Sequence, residues 1–227
     1  LLHIATIILL FYTALLGLTD SLSQTTDNIV AIVDRALLGE NHMYLDYMSD
    51  GSRIIFDPEG LLSSIGSISH VLFGFYAGKI ITENKKDIGK IIQNLSLFGT
   101  ILLFAGLLLQ YGCPINKRLW SSTFVLTTCG FGSLLLSLLI WLIDVSGKRK
   151  GTTFFESFGV NPLYQYVQAD VLAILAHLTG LTHYVYQDIF APLFGQYGGS
   201  LAWSLFFVGI NWIPGYLLYK KKIYIKL

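Results

Sequence analysis

Six apolar stretches, each close to twenty residues long, dominate this chain: about 1–19, 60–81, 92–110, 120–143, 158–178 and 201–219. A helix needs roughly 20 apolar residues to cross the hydrocarbon of a bilayer. The pattern predicts an all-α, polytopic membrane bundle with about six transmembrane helices. Charge is sparse enough to agree: 13% of the residues are charged, against about 25% in a soluble domain. Residues 1–227 read as a single transmembrane domain. The chain opens on Leu1-Leu2-His3 with no Met and no signal-peptide n-region, so it reads as a piece of a longer membrane protein. A net charge of +1 gives no argument for a nucleic-acid partner. Two cysteines are too few for a disulfide framework or a metal site. Cys113 falls in a loop and Cys129 in an apolar run, so no bond is expected between them.

Lysine and arginine set the expected orientation. Lys79, Lys85, Lys86, Lys90, Lys148, Arg149, Lys150, Lys220, Lys221, Lys222 and Lys226 fall on one side. Only Arg35, Arg53, Lys117 and Arg118 fall on the other. The lysine-rich side, with the C-terminus, is therefore expected in the cytoplasm, and loops 20–59, 111–119 and 179–200 outside. The outer loop 20–59 carries eight acids: Asp20, Asp27, Asp34, Glu40, Asp46, Asp50, Asp57 and Glu59. Two of them, in Asp57-Pro58-Glu59-Gly60, stand at the mouth of the second apolar stretch. Such carboxylates cost little only where they face water, a cation or a substrate. Within the same loop, Asn28–Leu38 reads as an amphipathic helix, with Ile29, Val33, Ala36 and Leu37 on one face and Asp34 and Arg35 turned away.

Polar residues mark the second and fifth stretches. Ser63, Ser67, His70, Gly74 and Gly78 follow i, i+4, i+7, i+11 and i+15, and Gly74 with Gly78 forms a small-xxx-small pair suited to close helix approach. His70 reads either as a satisfied histidine in a packing seam or as part of a ligand cavity open to the outer face. It lies roughly 15 Å of helix rise below Gly60. In the fifth stretch, Asn161, Gln165 and Gln168 share one face, and Asp170 lies opposite with Tyr166 and His177. Asn161 before Pro162 suits a helix N-cap and first position. Asp170 needs a partner, a proton or a water-filled cavity at membrane depth.

The outer loop Cys113–Trp120 breaks the positive-inside pattern. Trp120 fits an interfacial anchor, and Lys117 and Arg118 either snorkel or hold an anion or the acidic lip. Pro214, near Asn211 and Gly215, is expected to kink the last helix. The Lys220–Lys222 run reads as a topology signal. No phosphate-cradling glycine loop, His-Glu-x-x-His or Gly-x-Ser-x-Gly is present in the sequence. Taken alone, these residues leave two classes open: part of a membrane enzyme, or part of a transporter with His70 and Asp170 on a proton or ion path.

Four separated motifs resemble one family in order. Asp34-Arg35-Ala36-Leu37-Leu38-Gly39 running to His42-Met43-Tyr44 is similar to an outer-loop Asp-Arg-x-Leu-Leu-Gly…His-Leu-Tyr stretch. Asp57-Pro58-Glu59-Gly60-Leu61-Leu62-Ser63, with Gly74 and Ala77-Gly78-Lys79-Ile80, is the second. Pro114-Ile115-Asn116-Lys117-Arg118-Leu119-Trp120-Ser121 resembles a Pro-Val-Asn-Lys-x-Leu-Trp-Ser motif. Gly159-Val160-Asn161, followed by Tyr166-Val167, resembles a Gly-Met-Asn segment and the Tyr-Val after it. The family is that of the heparan-α-glucosaminide N-acetyltransferases, which includes bacterial membrane homologues, and the match reads as its carboxy-terminal half. Gln168-Ala169-Asp170 departs from a Gly-His-Glu of some members: the acid is kept, the histidine is not.

The resemblance implies transfer of an acetyl group from cytoplasmic acetyl-CoA to an amino sugar or glycan, without a metal, in an integral protein of the bacterial inner membrane. Position and charge, rather than the resemblance, put His42, Asp57, Glu59, His70, Asn116, Lys117, Asn161, Gln165 and Asp170 forward as substrate-side residues; His70 matches no histidine of the family. CoA phosphates would favour Lys85, Lys86 and Lys90. The family's proposed catalytic histidine lies in an amino-terminal half, so no catalytic residue is assigned here. The polar faces of the second and fifth helices call for neighbours, from further helices or from a homodimer, with lipid around them.

Overall fold

A computed structural model describes residues 1–19, 22, 25–47 and 51–225, and the chain divides into two compact units, Leu1–Lys148 and Arg149–Leu227. Asp20, Asp50 and Lys226, which enter the charge pattern, lie outside the described residues. The first unit contains α1 (Leu2–Leu16), α2 (Ile29–Leu38), a ribbon of β1 (Leu45–Tyr47) and β2 (Arg53–Ile55), α3 (Ser63–Glu83), α4 (Ile88–Leu109) and α5 (Ser122–Ile140). A π-helical turn, Trp141–Val145, extends α5. The second unit contains α6 (Thr152–Gly159), α7 (Pro162–Leu178), α8 (Leu181–His183), a π-helical stretch Tyr184–Phe190, and α9 (Ala191–Lys220).

The architecture is all-α apart from the short ribbon. Among the described residues, three continuous helical stretches are long and apolar enough to cross a bilayer: Ile88–Leu109, Ser122–Val145 and Leu181–Lys220. Helix α1 is apolar but has 15 residues, about 22 Å of rise. Helix α3 has the length, at 21 residues, but its serines, glycines and His70 lower its hydropathy. Helix α7 has 17 residues and carries its amides on one face. Residues 179–200, expected as an outer loop, are instead largely helical. Helix α9 therefore starts at Ala191, about ten residues before the expected start.

Local chemistry explains the helix starts. Asn28 caps α2 by accepting from Ala31 N at 2.8 Å, Asp87 caps α4 from Lys90 N at 2.9 Å, and Ser121 caps α5 from Phe124 N at 3.3 Å. Gly39, at φ +77°, ends α2 in a conformation that disfavours a side chain.

Helices α4 and α5 meet backbone to backbone. A Cβ on Gly99 would stand 2.8 Å from Gly130 O, and one on Gly106 would stand 2.9 Å from Thr127 N. Ser96 and Ser137 share a hydroxyl hydrogen bond of 2.7 Å, and Ser137 Oγ donates to Ile92 O. Lipid tails are as apolar as leucine, so van der Waals fit and hydrogen bonds hold such a pair in a membrane. The core continues through Leu95, Phe98, Leu102, Val125 and Leu126 to Phe73 and Ala77 of α3 and Ala5 and Leu9 of α1.

The close-packing seam of α3 is not the expected one. Gly74 and Gly78 are exposed, and a Cβ on either would meet nothing within 4 Å. The buried stripe is Ser63, Gly66, Ser69, Phe73, Ala77 and Ile80. Gly66 is the contact point: a Cβ there would lie 2.8 Å from Trp120 O and 2.9 Å from the Tyr12 ring. Its neighbours decide the phase, because Phe73 and Ile80 have bulk to bury against α1 and α4 and the two distal glycines do not.

In the second unit, the amide face of α7 turns inward. Asn161 and Gln165 are buried, and Asp170 is exposed. Gln168 Nε2 donates to Asn211 Oδ1 at 3.2 Å, and Trp212 Nε1 of α9 donates to Ser157 Oγ of α6 at 2.8 Å. The backbone stays helical through Pro214, and the non-helical residue of α9 is Gly195, at φ +73° and ψ 173°.

Candidate functional site

The ribbon and two loops build a cavity at the N-terminal end of α3. Register pairs Leu45 with Ile55, Asp46 with Ile54 and Tyr47 with Arg53. Phe56 N donates to Tyr44 O at 3.2 Å, which closes the ribbon onto the buried Phe56. Asp57 Oδ1 then accepts from Glu59 N at 2.9 Å, an Asx-turn that folds the acidic tetrapeptide. Opposite it runs the loop before α5. Asn116 organises that loop: its Oδ1 accepts from Arg118 N at 2.9 Å, and its backbone N donates to Ser121 Oγ at 2.9 Å. Arg118 forms an ion pair with Asp46, which ties the loop to the ribbon.

The cavity has a volume of about 690 Å³ and is lined by Tyr44, Asp46, Asp57, Pro58, Glu59, Lys117, Arg118 and Trp120. A smaller one of about 170 Å³, lined by Pro58, Glu59, Ser63, Ser64, Ser67 and Trp120, shares three of those residues and runs along the first turns of α3. With Arg118 and Asp46 committed to each other, Asp57 and Glu59 face one further cation among the described lining residues, Lys117. Such a wall is net acidic and suits a cationic group with a polar or anionic neighbour.

Trp120 stands where the two cavities meet. Its backbone is left-handed, φ +51°, which is uncommon for a bulky residue. Its Nε1 is buried without an acceptor. The ring packs 5.5 Å from Phe124 and 5.9 Å from His70, centroid to centroid.

Asp34 holds the acidic turn from behind. Helix α3 has no capping side chain of its own at Leu62. Asp34 of α2, fully buried, supplies the missing acceptor: its Oδ1 takes the Leu62 N–H at 3.0 Å. A carboxylate at a helix N-terminus is stabilised by the unsatisfied N–H groups there. The other oxygen, Oδ2, packs so closely against Gly60 that a Cβ on Gly60 would overlap it. Burial pushes the Asp34 carboxyl above the usual range, the Leu62 N–H draws it back, and the charge of Asp57 raises it again. The sequence pattern turns Asp34 away from the packed face of α2. The packed face is instead Val30, Ala31 and Asp34, and Ala36 and Leu37 are exposed. The demand of α3 for an N-terminal acceptor sets the rotation of α2.

Of the residues singled out from sequence, Asp57, Glu59 and Lys117 come together in the cavity wall. Asn116 shapes the loop without lining the cavity. His42 lies exposed past the end of α2, its Nδ1 3.0 Å from Leu38 O, outside both linings. His70 sits behind Trp120, with Nδ1 lacking a partner, and lines neither cavity. Lys85, Lys86 and Lys90 are exposed at the α3–α4 turn, one α3 length, about 30 Å, from the acidic turn.

Three residues belong to the second unit. Asn161 occupies the N-cap position of α7 as expected, but its side chain makes no cap bond. It clamps the C-terminal segment instead, donating to Ile223 O at 2.9 Å and accepting from Ile225 N at 2.8 Å. Gln165 is buried against Gly215, and neither of its amide atoms has a partner. Asp170 lies on the exposed face of α7. Sequence reasoning misses Asp34, Tyr44, Asp46 and Trp120 as site residues. For Asp34 a signal is present, since no capping side chain directly precedes Ser63.

Long apolar helices, a polar cavity at a helix end and lysines at the far end of that helix define an integral membrane protein of the α-helical class. No family model matches the chain. Heparan-alpha-glucosaminide N-acetyltransferase of Mus musculus is 31% identical over 218 residues, covering 89% of this chain and 31% of that protein. The Homo sapiens protein of the same name is 32% identical over 155 residues, covering 64% of this chain and 23% of its own length. The chain belongs to the heparan-alpha-glucosaminide N-acetyltransferase family. It spans less than a third of the length of these two relatives.

Proposed function

We propose that this chain is the acceptor-side portion of a membrane-bound acyltransferase, which moves an acetyl group from acetyl-CoA to the amino group of a sugar or glycan. The names of the two relatives support the reaction class, and one structural observation supports the location. Asp57 and Glu59, brought side by side at a cavity of about 690 Å³, leave an acidic wall balanced by Lys117.

The chemistry fits that wall. An amino sugar arrives as an ammonium ion, which Asp57 and Glu59 attract and orient. Acyl transfer then needs a base for the ammonium proton and donors for the developing oxyanion. Lys117 stands where it can face an anionic group next to the amine. No histidine of this chain is assigned the role of base. The lysine-rich turn at the other end of α3 favours the phosphates of CoA, with Lys85, Lys86 and Lys90 as the contacts. The cation asymmetry supports an outer acidic cavity and a cytoplasmic C-terminus, in a bacterial inner membrane. Open faces on α3 and α7 are met by further helices, a second copy or lipid.

In the full-length protein, Asp57→Asn should lower kcat/KM for acetyl transfer from acetyl-CoA to glucosamine by about tenfold, mostly through KM, as loss of roughly 1.4 kcal/mol of binding requires. Wild-type kinetics in that variant would remove the acidic turn from the acceptor site.

A further inference from the structure

A third cavity, of about 330 Å³, opens on the first unit and is lined by Thr26, Arg35, Glu40, Arg53, Ile54 and Ile55. It shares no lining residue with the acidic cavity. The geometry points to an oxyanion-binding site here, held by the guanidinium groups of Arg35 and Arg53, for a carboxylate, sulfate or phosphate group.

Among the described residues, both cations are fixed in place by contacts that do not compensate their charge. Arg35 Nη2 donates to Thr26 O at 2.6 Å. Its other terminal nitrogen, Nη1, is buried without an acceptor. Arg53 lies over the Tyr47 ring, 5.7 Å from the centroid, a placement set by their cross-strand pairing. A carbonyl and an aromatic face orient a guanidinium, and neither supplies a counter-charge. Among the described residues neither arginine has a carboxylate within 4.0 Å. Arg118 and Lys79 differ, since Asp46 and Glu83 pair with them.

Among the described residues Glu40 is the one acid in the lining, so their charges there are two positive against one negative. Asp27 stands nearby in sequence at the start of α2 and takes the Thr26 hydroxyl hydrogen bond. Ile54 and Ile55 provide an apolar floor, with Ile54 7% exposed. An apolar floor lowers the local dielectric and strengthens a charge-assisted bond. A planar guanidinium presents paired N–H donors that match two oxygens of one oxyanion. The buried, unpaired Nη1 is the donor such an oxygen would satisfy.

Binding can be read without any acetyl transfer, so the outcome is independent of the acyltransferase reading. The purified protein is melted in a neutral detergent with sodium sulfate or inorganic phosphate, against sodium chloride at equal ionic strength. A second arm uses nanodiscs of phosphatidylcholine with and without phosphatidylglycerol. At ten times Kd, the oxyanion should raise Tm by about 3–6 °C over chloride. Arg53→Gln, an exposed position, should lose most of that rise, as should Arg35→Gln. Arg35→Lys, which keeps the charge but not the planar fork, should keep only part of it. A rise with phosphatidylglycerol alone, lost in the same variants, identifies a lipid headgroup as the source of the oxyanion. No rise with either source, or a rise unchanged in Arg53→Gln, overturns the site.

Discussion

Gly60→Ala tests the arrangement that holds the acidic turn. Gly60 does not have a left-handed backbone, so the substitution is a question of space alone. The new methyl would overlap Asp34 Oδ2, in a place where the carboxylate is fully buried and has nowhere to move. Overpacking of this kind costs about 1–3 kcal/mol. Displacing the carboxylate also breaks its bond to Leu62 N, a charge-assisted hydrogen bond of about 1.5–3 kcal/mol. Together they predict a loss of about 3–6 kcal/mol, or roughly 6–24 °C in Tm for a chain of this size. Thermal unfolding in one detergent, followed by circular dichroism, measures it. The sharper measurement is a cycle with Asp34→Ala, which removes the carboxylate and opens the space the methyl needs. In that background Gly60→Ala should cost little, so the coupling in the cycle should approach the full cost of the single substitution, about 3–6 kcal/mol. Additivity within about 0.5 kcal/mol, or a Gly60→Ala protein melting like wild type, would refute the contact.

Two further outcomes follow from the same geometry. The Asp34 carboxyl is raised above its ordinary 3.8 in the folded protein. Between 3.8 and the raised value the folded state holds a proton that the unfolded state has lost, so Asp34 subtracts stability as pH rises through that window and adds no slope above it. The Tm difference between wild type and Asp34→Asn should therefore fall from about pH 4 upward and then level, and a difference that climbs with pH would contradict the burial. Asn161→Ala should cost about 1–3 kcal/mol for two lost hydrogen bonds and should abolish hydrogen-exchange protection at the Ile225 amide, whose acceptor is Asn161 Oδ1. Unchanged protection there would show that the segment is held by something else.

What can be read from the sequence is whatever depends on neighbours along the chain. Apolar runs locate five of the six long helices to within a few residues, because hydropathy and caps such as Asp87 and Ser121 are local. Asp57, Glu59 and Lys117 are recognisable as charges out of place at helix mouths. The phase of α2 and the seam of α3 are not readable. Both are decided across the fold: Asp34 turns inward because α3 lacks a cap 28 residues away, and Gly66 outranks Gly74 because Trp120 and Tyr12 arrive there from other elements. The same holds for Asn161, whose partners are more than sixty residues downstream.

The backbone of Trp120 carries a consequence of its own. A left-handed conformation costs a non-glycine residue about 1–2 kcal/mol, and glycine at this position would recover it. The fold instead keeps an indole that lines both the larger cavity and the smaller one beside Ser63, Ser64 and Ser67. Replacing the ring with glycine would relax the main chain while removing a wall that both cavities share. The tryptophan thus gives up main-chain ease to serve as a wall of both cavities at once.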